Sequence, residues 1–214
     1  MNAHYVAIGQ RGLPGLLASP TDAAGLVIFA HGSGSSRLSP RNAYAAEVLR
    51  AQGFATLLFD LLTAEEACER ENVFDIALLA NRVGEAIAWT RSRPSVAPLS
   101  IGLFGASTGA AAALAAAATW PAEVSAVVAR GGRPDLAGQF LAAVQAPTLL
   151  IVGSEDTEVL ALNEAAQRHM RCETRLAVIP GASHLFEEAG TLDLALAEAG
   201  AWFVQRLRRP DDIR

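Results

Sequence analysis

The sequence predicts an α/β fold, in which a mostly parallel sheet of about eight strands is covered by helices on both faces. Short apolar runs rich in β-branched residues recur along the 214 residues, and from the third run onward a helix-like segment fills each gap. No internal repeat or low-complexity linker divides the chain, and a chain of this length buries about 70% of its unfolded surface. We therefore expect one domain over residues 1–214, built as a three-layer sandwich.

The predicted strands are short and end at turn-forming residues. They cover residues 5–8, 15–18, 26–30, 55–59, 100–104, 124–129, 148–152 and 175–179. The first two are expected to form an antiparallel hairpin, because the segment that joins them, Arg11-Gly12-Leu13-Pro14-Gly15, is too short for a crossover helix.

The predicted helices fill the later gaps and follow the last strand. They cover residues 41–52, 73–91, 107–119, 135–144, 158–171 and 192–209. Two of them have the expected stop signal, with Gly53 after the first and Pro121 shortly after the third. The alanine-rich segment 110–118 indicates strong helix propensity and carries no chemistry by itself.

The charged residues exclude several classes of protein. The formal net charge is -5, from 17 basic and 22 acidic residues, and no basic run is longer than Arg208-Arg209. A phosphate backbone would need a basic patch, so we expect no nucleic-acid partner. Every one of the 17 basic residues is arginine, which excludes a Walker A phosphate loop, a protein kinase and a Schiff-base enzyme.

The cysteines and the apolar segments give no sign of a metal, a disulfide framework or a membrane span. Cys68 and Cys172 are interpreted as reduced thiols, because two distant cysteines do not make a four-ligand zinc site. Residues 1–12 lack a signal-peptide pattern, and the apolar stretch 23–30 is too short to cross a bilayer. We expect a cytoplasmic protein without metal, organic cofactor or membrane partner, and the sequence leaves the oligomeric state open.

A serine lies at a predicted strand-to-helix turn, in the segment Gly105-Ala106-Ser107-Thr108-Gly109. A Gly-x-Ser-x-Gly segment between a strand and a helix is the pattern of a nucleophile elbow. The small residues are needed because the serine backbone is strained and the strand and helix approach each other closely there. Ser107 is therefore the candidate nucleophile.

A nucleophilic serine needs an imidazole as base, and His184 is the best placed of the four histidines. It lies in the loop that leaves the last predicted strand, which brings it to the same edge of the sheet as Ser107. His4 and His169 are interpreted as solvated, and His31 as a residue that shapes the loop after the third strand.

The base in turn needs a carboxylate, and Asp156 follows the seventh predicted strand. The chain order Ser107, Asp156, His184 is the order found in α/β-hydrolases. Three other acidic residues that follow strands remain as alternatives, namely Asp60, Asp135 and Glu155.

The loop of small residues after the third strand, residues 31–36, predicts an oxyanion hole. We expect the backbone N–H groups of Ser33 and Thr108 to bind the oxyanion, helped at Thr108 by the helix dipole. A dinucleotide site is the rival interpretation of this loop, but Arg37 occupies the third glycine position of that fingerprint.

The whole chain resembles the dienelactone-hydrolase-like group of small α/β-hydrolases. The resemblance rests on four stretches in family order, residues 29–34, 102–109, 149–156 and 180–186. It implies an α/β-hydrolase fold and hydrolysis of a small carboxylic ester, lactone or thioester through an acyl-enzyme. Dienelactone hydrolases proper use a cysteine nucleophile where this chain has Ser107, so an esterase is favoured over a lactonase.

The shape and charge of the site are also predicted. Residues 129–147 leave room for only a short helix, so we expect no cap domain and an open site for small acyl substrates. Three arginines follow strands, Arg37, Arg130 and Arg133. Pairing with Asp60, Asp135 or Glu187 is the favoured interpretation, and binding of a substrate carboxylate is the alternative.

Two other functions remain open at this point. One is a serine peptidase or acyltransferase built on the same three residues. The other is a non-catalytic relative that binds a small ligand, because this fold also hosts proteins without activity.

Overall fold

A computed structural model describes residues 3–207 and places the eight predicted strands in one sheet. The strands are β1 (His4–Ile8), β2 (Leu13–Ala18), β3 (Leu26–Ala30), β4 (Ala55–Phe59), β5 (Ile101–Ala106), β6 (Val124–Arg130), β7 (Thr148–Gly153) and β8 (Thr174–Ile179). Their order across the sheet is β1-β2-β4-β3-β5-β6-β7-β8. The β1–β2 and β2–β4 pairs are antiparallel, and the other pairs are parallel.

Helices cover both faces of this sheet. They are α1 (Pro40–Ala51), α2 (Arg70–Phe74), α3 (Ile76–Arg91), α4 (Thr108–Thr119), α5 (Thr157–His169) and α6 (Thr191–Arg206), with 3-10 turns at Glu66–Cys68 and Pro134–Ala143. Helices α3, α4 and α5 share one apolar core with the sheet, while α1 and α6 share the other. The result is the predicted three-layer α/β-hydrolase sandwich.

Two of the predicted helices are wrong in detail. The predicted helix over residues 73–91 is two helices, because Asp75 has an extended backbone and its side chain caps α3 by accepting a 2.9 Å hydrogen bond from the Leu78 N–H. The predicted helix over residues 135–144 is a pair of 3-10 segments, broken at Gly138 where φ is 48°. Residues 208 and 209 of the last predicted helix lie outside the described residues.

The alanine-rich helix α4 is central to the molecule. Residues 110–117 are all completely buried, because α4 packs on the sheet between α3 and the 3-10 segment Pro134–Ala143. A helix that is covered on several sides needs small side chains so that its neighbours can approach closely. The alanines therefore serve packing as well as helix propensity.

Parallel strands bring their carboxyl ends to one edge of the sheet, where ligands bind in folds of this kind. The loops after β3, β5, β6, β7 and β8 meet at that edge. Between β6 and β7 the chain forms only the 3-10 segment Pro134–Ala143, and no separate cap domain lies over the edge within residues 3–207. Among the helices in this range, none has the length and apolar character needed to cross a bilayer.

Candidate active site

Ser107 lies in the sharp turn between β5 and α4 with a strained backbone. Its φ is 52° and its ψ is -123°, a conformation that residues with a side chain rarely adopt. A Cβ at Gly105 would lie 2.4 Å from Ala110 Cα, and a Cβ at Gly109 would lie 2.1 Å from the Ala30 carbonyl oxygen. Only glycine fits at these two positions, so the backbone around Ser107 has the geometry of the predicted elbow.

Asp156 and His184 are brought together from two different loops. His184 Nδ1 lies 2.6 Å from Asp156 Oδ2. Asp156 directly precedes α5, yet its side chain makes no capping bond to that helix and turns to His184 instead. Because the carboxylate only accepts, the hydrogen lies on Nδ1 and leaves Nε2 as an acceptor in the neutral ring. In this orientation the Nε2 atom of His184 can accept a proton.

The loop that carries His184 crosses the end of β7 at very close range. A Cβ at Gly153 would lie 2.1 Å from the Ala182 carbonyl oxygen and 2.8 Å from that of Ser183. The Glu155 N–H donates to the same Ala182 oxygen at 3.0 Å. Gly153 thus positions the loop that carries His184, a role the sequence analysis missed, although a glycine ending a strand just before an acidic residue is a visible signal of close approach.

Ser107 and His184 line one cavity of about 640 Å³ at the carboxyl edge of the sheet. Its walls are the loop 32–36, the first residues of α1, Arg130 and Leu185. Within residues 3–207 no direct hydrogen bond joins the Ser107 hydroxyl to the His184 ring. Such contacts are often long in ligand-free enzymes and shorten when substrate binds.

The predicted oxyanion loop lies against Ser107. A Cβ at Gly32 would be 3.0 Å from Ser107 Cβ, so the loop packs directly on the elbow. The Ser33 N–H, however, donates a 2.8 Å hydrogen bond to Thr108 Oγ1. We expected this N–H to be free for an oxyanion, whereas in the structure it donates to the Thr108 side chain. For the Ser33 N–H to bind an oxyanion, the Thr108 hydroxyl must turn away or share it. The Thr108 N–H lies in the first turn of α4, where no carbonyl of the helix accepts it.

His31 holds the other side of this loop. Its Nδ1 lies 3.0 Å from the Gly32 carbonyl oxygen, and its Nε2 accepts a 3.1 Å hydrogen bond from the Leu61 N–H. A ring that donates at Nδ1 and accepts at Nε2 is neutral. Burial lowers the pKa of His31, and the Gly32 carbonyl and the charge of Asp60 only partly oppose this. These contacts fit the interpretation of His31 as a residue that shapes the loop.

Of the three arginines singled out from the sequence, two pair with aspartates. Arg37 pairs with Asp60, and Arg133 makes two hydrogen bonds to Asp135 at 2.9 and 2.8 Å. His4 and His169 are exposed at the start of β1 and the end of α5. Arg130 is buried in the wall of the cavity and forms no ion pair with the described residues.

Glu155 and the cysteines lie apart from this arrangement. Glu155 is exposed and its side chain accepts a hydrogen bond from the hydroxyl of Ser154. Cys68 and Cys172 carry free thiols. In the described part of the chain, no three His, Cys, Asp or Glu side chains are grouped so that they could hold a metal ion.

Comparison with known proteins identifies the family. The dienelactone hydrolase family matches over residues 13–203. A crystal structure of a dienelactone hydrolase from Anabaena variabilis is 53% identical, with a TM-score of 0.91 over 96% of this chain and 97% of that chain. Est1E from Butyrivibrio proteoclasticus shares the fold at 17% identity, with a TM-score of 0.79 over 96% of this chain and 98% of that chain.

Two curated proteins, from two strains of Mycobacterium tuberculosis, are also similar. Each is named "Putative phosphoribosyl transferase" and is 55% identical over 205 residues, which is 96% of this chain. The chain spans 46% of the length of these relatives. Because the family match covers nearly the whole chain and the fold agrees with it, this chain belongs to the dienelactone hydrolase family.

Proposed function

We propose that this chain is a serine hydrolase that cleaves a small carboxylic ester, lactone or thioester through an acyl-enzyme intermediate. In this proposal Ser107 is the nucleophile, His184 is the general base and acid, and Asp156 orients His184. The backbone N–H groups of Thr108 and Ser33 stabilise the oxyanion.

The observation that carries the proposal is the 2.6 Å hydrogen bond between His184 Nδ1 and Asp156 Oδ2, made beside a cavity that His184 shares with Ser107. A serine hydroxyl is a weak nucleophile at neutral pH and needs a base within reach. The bond to Asp156 keeps the hydrogen on Nδ1, so Nε2 is free to take the Ser107 proton. The strained backbone of Ser107 supports the same role, because strain of this kind is concentrated at functional sites.

The proposed reaction has two halves. Ser107 Oγ bonds to the acyl carbon while its proton passes to His184 Nε2, and the carbonyl electrons move onto the oxygen held by the N–H donors. When the tetrahedral intermediate collapses, the bond to the leaving group breaks and the leaving oxygen or sulfur takes the proton from Nε2. Water then repeats the sequence on the acyl-enzyme: it loses a proton to Nε2, and Ser107 Oγ leaves and regains one.

The size of the site supports a small substrate. Beyond the loop 32–36 lies a second, largely apolar cavity of about 480 Å³, lined among others by Leu61, Leu62 and Val73. Both cavities open directly to the surface, without a cap to bury a long chain. We therefore expect turnover of short-chain p-nitrophenyl esters, and a preference for long-chain triglycerides would contradict this part of the proposal.

The first experiment is labelling with a fluorophosphonate probe, followed by p-nitrophenyl acetate hydrolysis on the same samples. Wild type and Ser95→Ala, which changes an exposed serine far from the cavity, are expected to label and to turn over equally. Ser107→Ala is expected to lose labelling and about 10⁶-fold in kcat, by analogy with other serine triads. Equal labelling of Ser107→Ala and wild type would disprove the nucleophile assignment.

The same samples test the competing functions. Faster cleavage of peptide amides than of esters would indicate a peptidase, and transfer to an added alcohol would indicate an acyltransferase. If wild type neither labels nor turns over, the proposal is wrong and a binding role replaces it. The transferase name of the Mycobacterium tuberculosis proteins is not part of the proposal, because this chain spans 46% of their length, and the Ser107 and His184 side chains in its cavity suit the proposed attack on an acyl carbon.

A further inference from the structure

Asn163 is a buried polar side chain that the proposed reaction does not use. It is 0% exposed and lies on the inward face of α5 with Val159 and Ala166. Asparagine is a poorer helix former than alanine, and burial of its amide costs free energy. Its Oδ1 atom accepts no hydrogen bond from any residue between 3 and 207. The reason for an amide at this position therefore lies in the contacts of its nitrogen.

The Asn163 amide nitrogen joins α5 to the segment that follows β6. Its Nδ2 atom donates at 2.8 Å to the Val159 carbonyl oxygen, one turn earlier in the helix, and at 2.9 Å to the Gly132 carbonyl oxygen. Both acceptors are carbonyl oxygens, so the nitrogen of the amide has to face them. Gly132 is buried, and water therefore does not readily replace this bond.

Segment 130–133, to which Gly132 belongs, holds the Ser107 peptide on both sides. The Ser107 N–H donates at 3.3 Å to the Arg130 carbonyl oxygen, and the Arg133 N–H donates at 3.1 Å to the Ser107 carbonyl oxygen. The Ser107 backbone has a φ of 52°, and such a strained conformation persists only where the surroundings fix it. These two bonds therefore stabilise the turn that carries the Ser107 hydroxyl.

The same segment lies against His184. A Cβ at Gly131 would be 3.1 Å from the His184 carbonyl oxygen and 3.7 Å from its ring carbon Cε1. The Gly131 N–H donates at 2.7 Å to the Ile151 carbonyl oxygen at the end of β7. Segment 130–133 thus contacts both Ser107 and His184, and a shift of this segment would change the position of one relative to the other.

Helix α5 connects this anchor to Asp156. The residue directly precedes α5, and Asn163 follows it by seven residues, which is about two helical turns. Asp156 and Asn163 therefore lie on the same side of the helix. One rigid element carries the carboxylate that bonds to His184 and the amide that bonds to segment 130–133.

We propose that Asn163 is a positioning residue, which holds the Gly132 carbonyl and thereby fixes the placement of Ser107 relative to His184. Asn163 lines neither of the two cavities, so it acts through the backbone of segment 130–133. This inference rests on the proposed function, because it concerns the same catalytic residues. Misplacement of a catalytic group by about 1 Å lowers the rate by as much as about 10²-fold, so loss of the anchor is expected to lower kcat.

The kinetic test uses two substitutions of Asn163. Asn163→Leu keeps a similar volume and removes the donor, and its kcat on p-nitrophenyl acetate is expected to fall by about tenfold or more, with KM within about twofold of wild type. In Asn163→Ser the hydroxyl bonds back to the Val159 carbonyl but is too short to reach Gly132. It is expected to show the same fall in kcat, and it is the second variant if the leucine variant does not fold.

Val159→Ala is the matched control. It removes buried carbons from the same face of α5 and leaves the bond between Asn163 and Gly132 in place. Its Tm is expected to fall because of the cavity, whereas its kcat is expected to stay at the wild-type value. Titration of each sample with the fluorophosphonate probe gives the number of active molecules, so kcat is compared per folded enzyme.

Amide hydrogen exchange measured by NMR tests the anchor without turnover. The Arg133 N–H, which donates to Ser107, is expected to exchange about tenfold or more faster in Asn163→Leu than in wild type. The Val127 N–H, which donates to Pro147 at 2.9 Å from within β6, is expected to keep its rate. The same difference is expected in Ser107→Ala, which forms no acyl-enzyme.

Wild-type kcat in both Asn163→Leu and Asn163→Ser would overturn the proposal. An equal rise in exchange at Arg133 and Val127 would overturn it as well, because it would show a general loss of stability. If wild type neither labels nor hydrolyses esters, the proposed function fails, and the exchange of the Arg133 N–H still decides whether Asn163 holds the segment.

Discussion

The backbone N–H of Ser33 donates a 2.8 Å hydrogen bond to Thr108 Oγ1, 75 positions later in the chain. This bond joins the loop after β3 to the first residue of the helix that follows Ser107. The same N–H is a proposed oxyanion donor, so the Thr108 hydroxyl both fixes the direction of the donor and competes for it. Gly32, on the other side of the same peptide bond, is held through its carbonyl by His31 and by the Ser35 N–H.

Thr108→Val is expected to lower kcat/KM about fivefold, because the link between the loop and α4 is worth about 1 kcal/mol. Thr108→Ser keeps the hydroxyl and is expected to stay close to wild type. Steady-state kinetics on p-nitrophenyl acetate measure both. A faster Thr108→Val enzyme would show instead that the hydroxyl acts mainly as a competitor of the oxyanion.

Asp156→Asn is expected to lower kcat by about 10⁴-fold, because an amide at this position no longer stabilises the charged ring or fixes its tautomer. Asp135→Asn is the matched control, since Asp135 pairs with Arg133 at the same edge of the sheet. It is expected to keep nearly full activity. If the losses were reversed between the two variants, Asp135 would be the acid and the assignment of Asp156 would fail.

Gly153→Ala is expected to lower kcat by about 10²-fold while the protein remains folded. The new Cβ would lie 2.1 Å from the Ala182 carbonyl oxygen, so the loop that carries His184 must move, and misplacement of a catalytic group by about 1 Å has a cost of this order. Kinetics measure the loss of kcat, and near-ultraviolet circular dichroism on the same sample checks that the protein remains folded. Wild-type activity in a folded variant would mean that the loop can shift without moving the base.

The buried ring of His31 predicts a pH dependence of stability. Because burial lowers the pKa of His31 below its ordinary value of 6.5, the unfolded chain takes up a proton at this residue before the native protein does. Its contribution to the free energy of unfolding is therefore complete above about pH 6.5 and declines as the pH falls below that value. Protonation would also remove the acceptor of the Leu61 N–H.

Urea unfolding between about pH 5 and 8 measures this contribution. His31→Gln is expected to show a smaller loss of stability than wild type as the solution becomes acidic. His169→Gln, which removes an exposed histidine, is expected to follow the wild-type curve. Identical slopes for wild type and His31→Gln would show that the ring gains its proton as easily in the native state as in the unfolded chain.

Several features could be predicted from the sequence because they depend on local patterns. The eight strands follow from short apolar runs, and the elbow follows from glycines spaced around Ser107. The contact between Asp156 and His184 follows from one topological rule, that loops after parallel strands meet at one edge. None of these inferences needs the packing of particular side chains.

The helix boundaries and the arginines could be predicted only in part. Nothing in the apolar pattern distinguishes one helix over residues 73–91 from two, because the break depends on an Asp75 cap in the middle of the run. Arg37, Arg130 and Arg133 all follow predicted strands, and the sequence pattern does not distinguish their partners. Two of them face an aspartate and the third faces the Phe186 ring.

The sequence by itself determined the order of the strands along the chain, the strained turn at Ser107 and the edge of the sheet where the chemistry is proposed, since periodicity and glycine spacing are local properties. Only the tertiary structure decided that Thr108 engages the Ser33 N–H, that Gly153 must lack a side chain and that Arg130 is buried without a counter-charge. Each of these depends on which distant segments come into contact and on how much water the contact excludes. Neither can be predicted from any single stretch of the sequence.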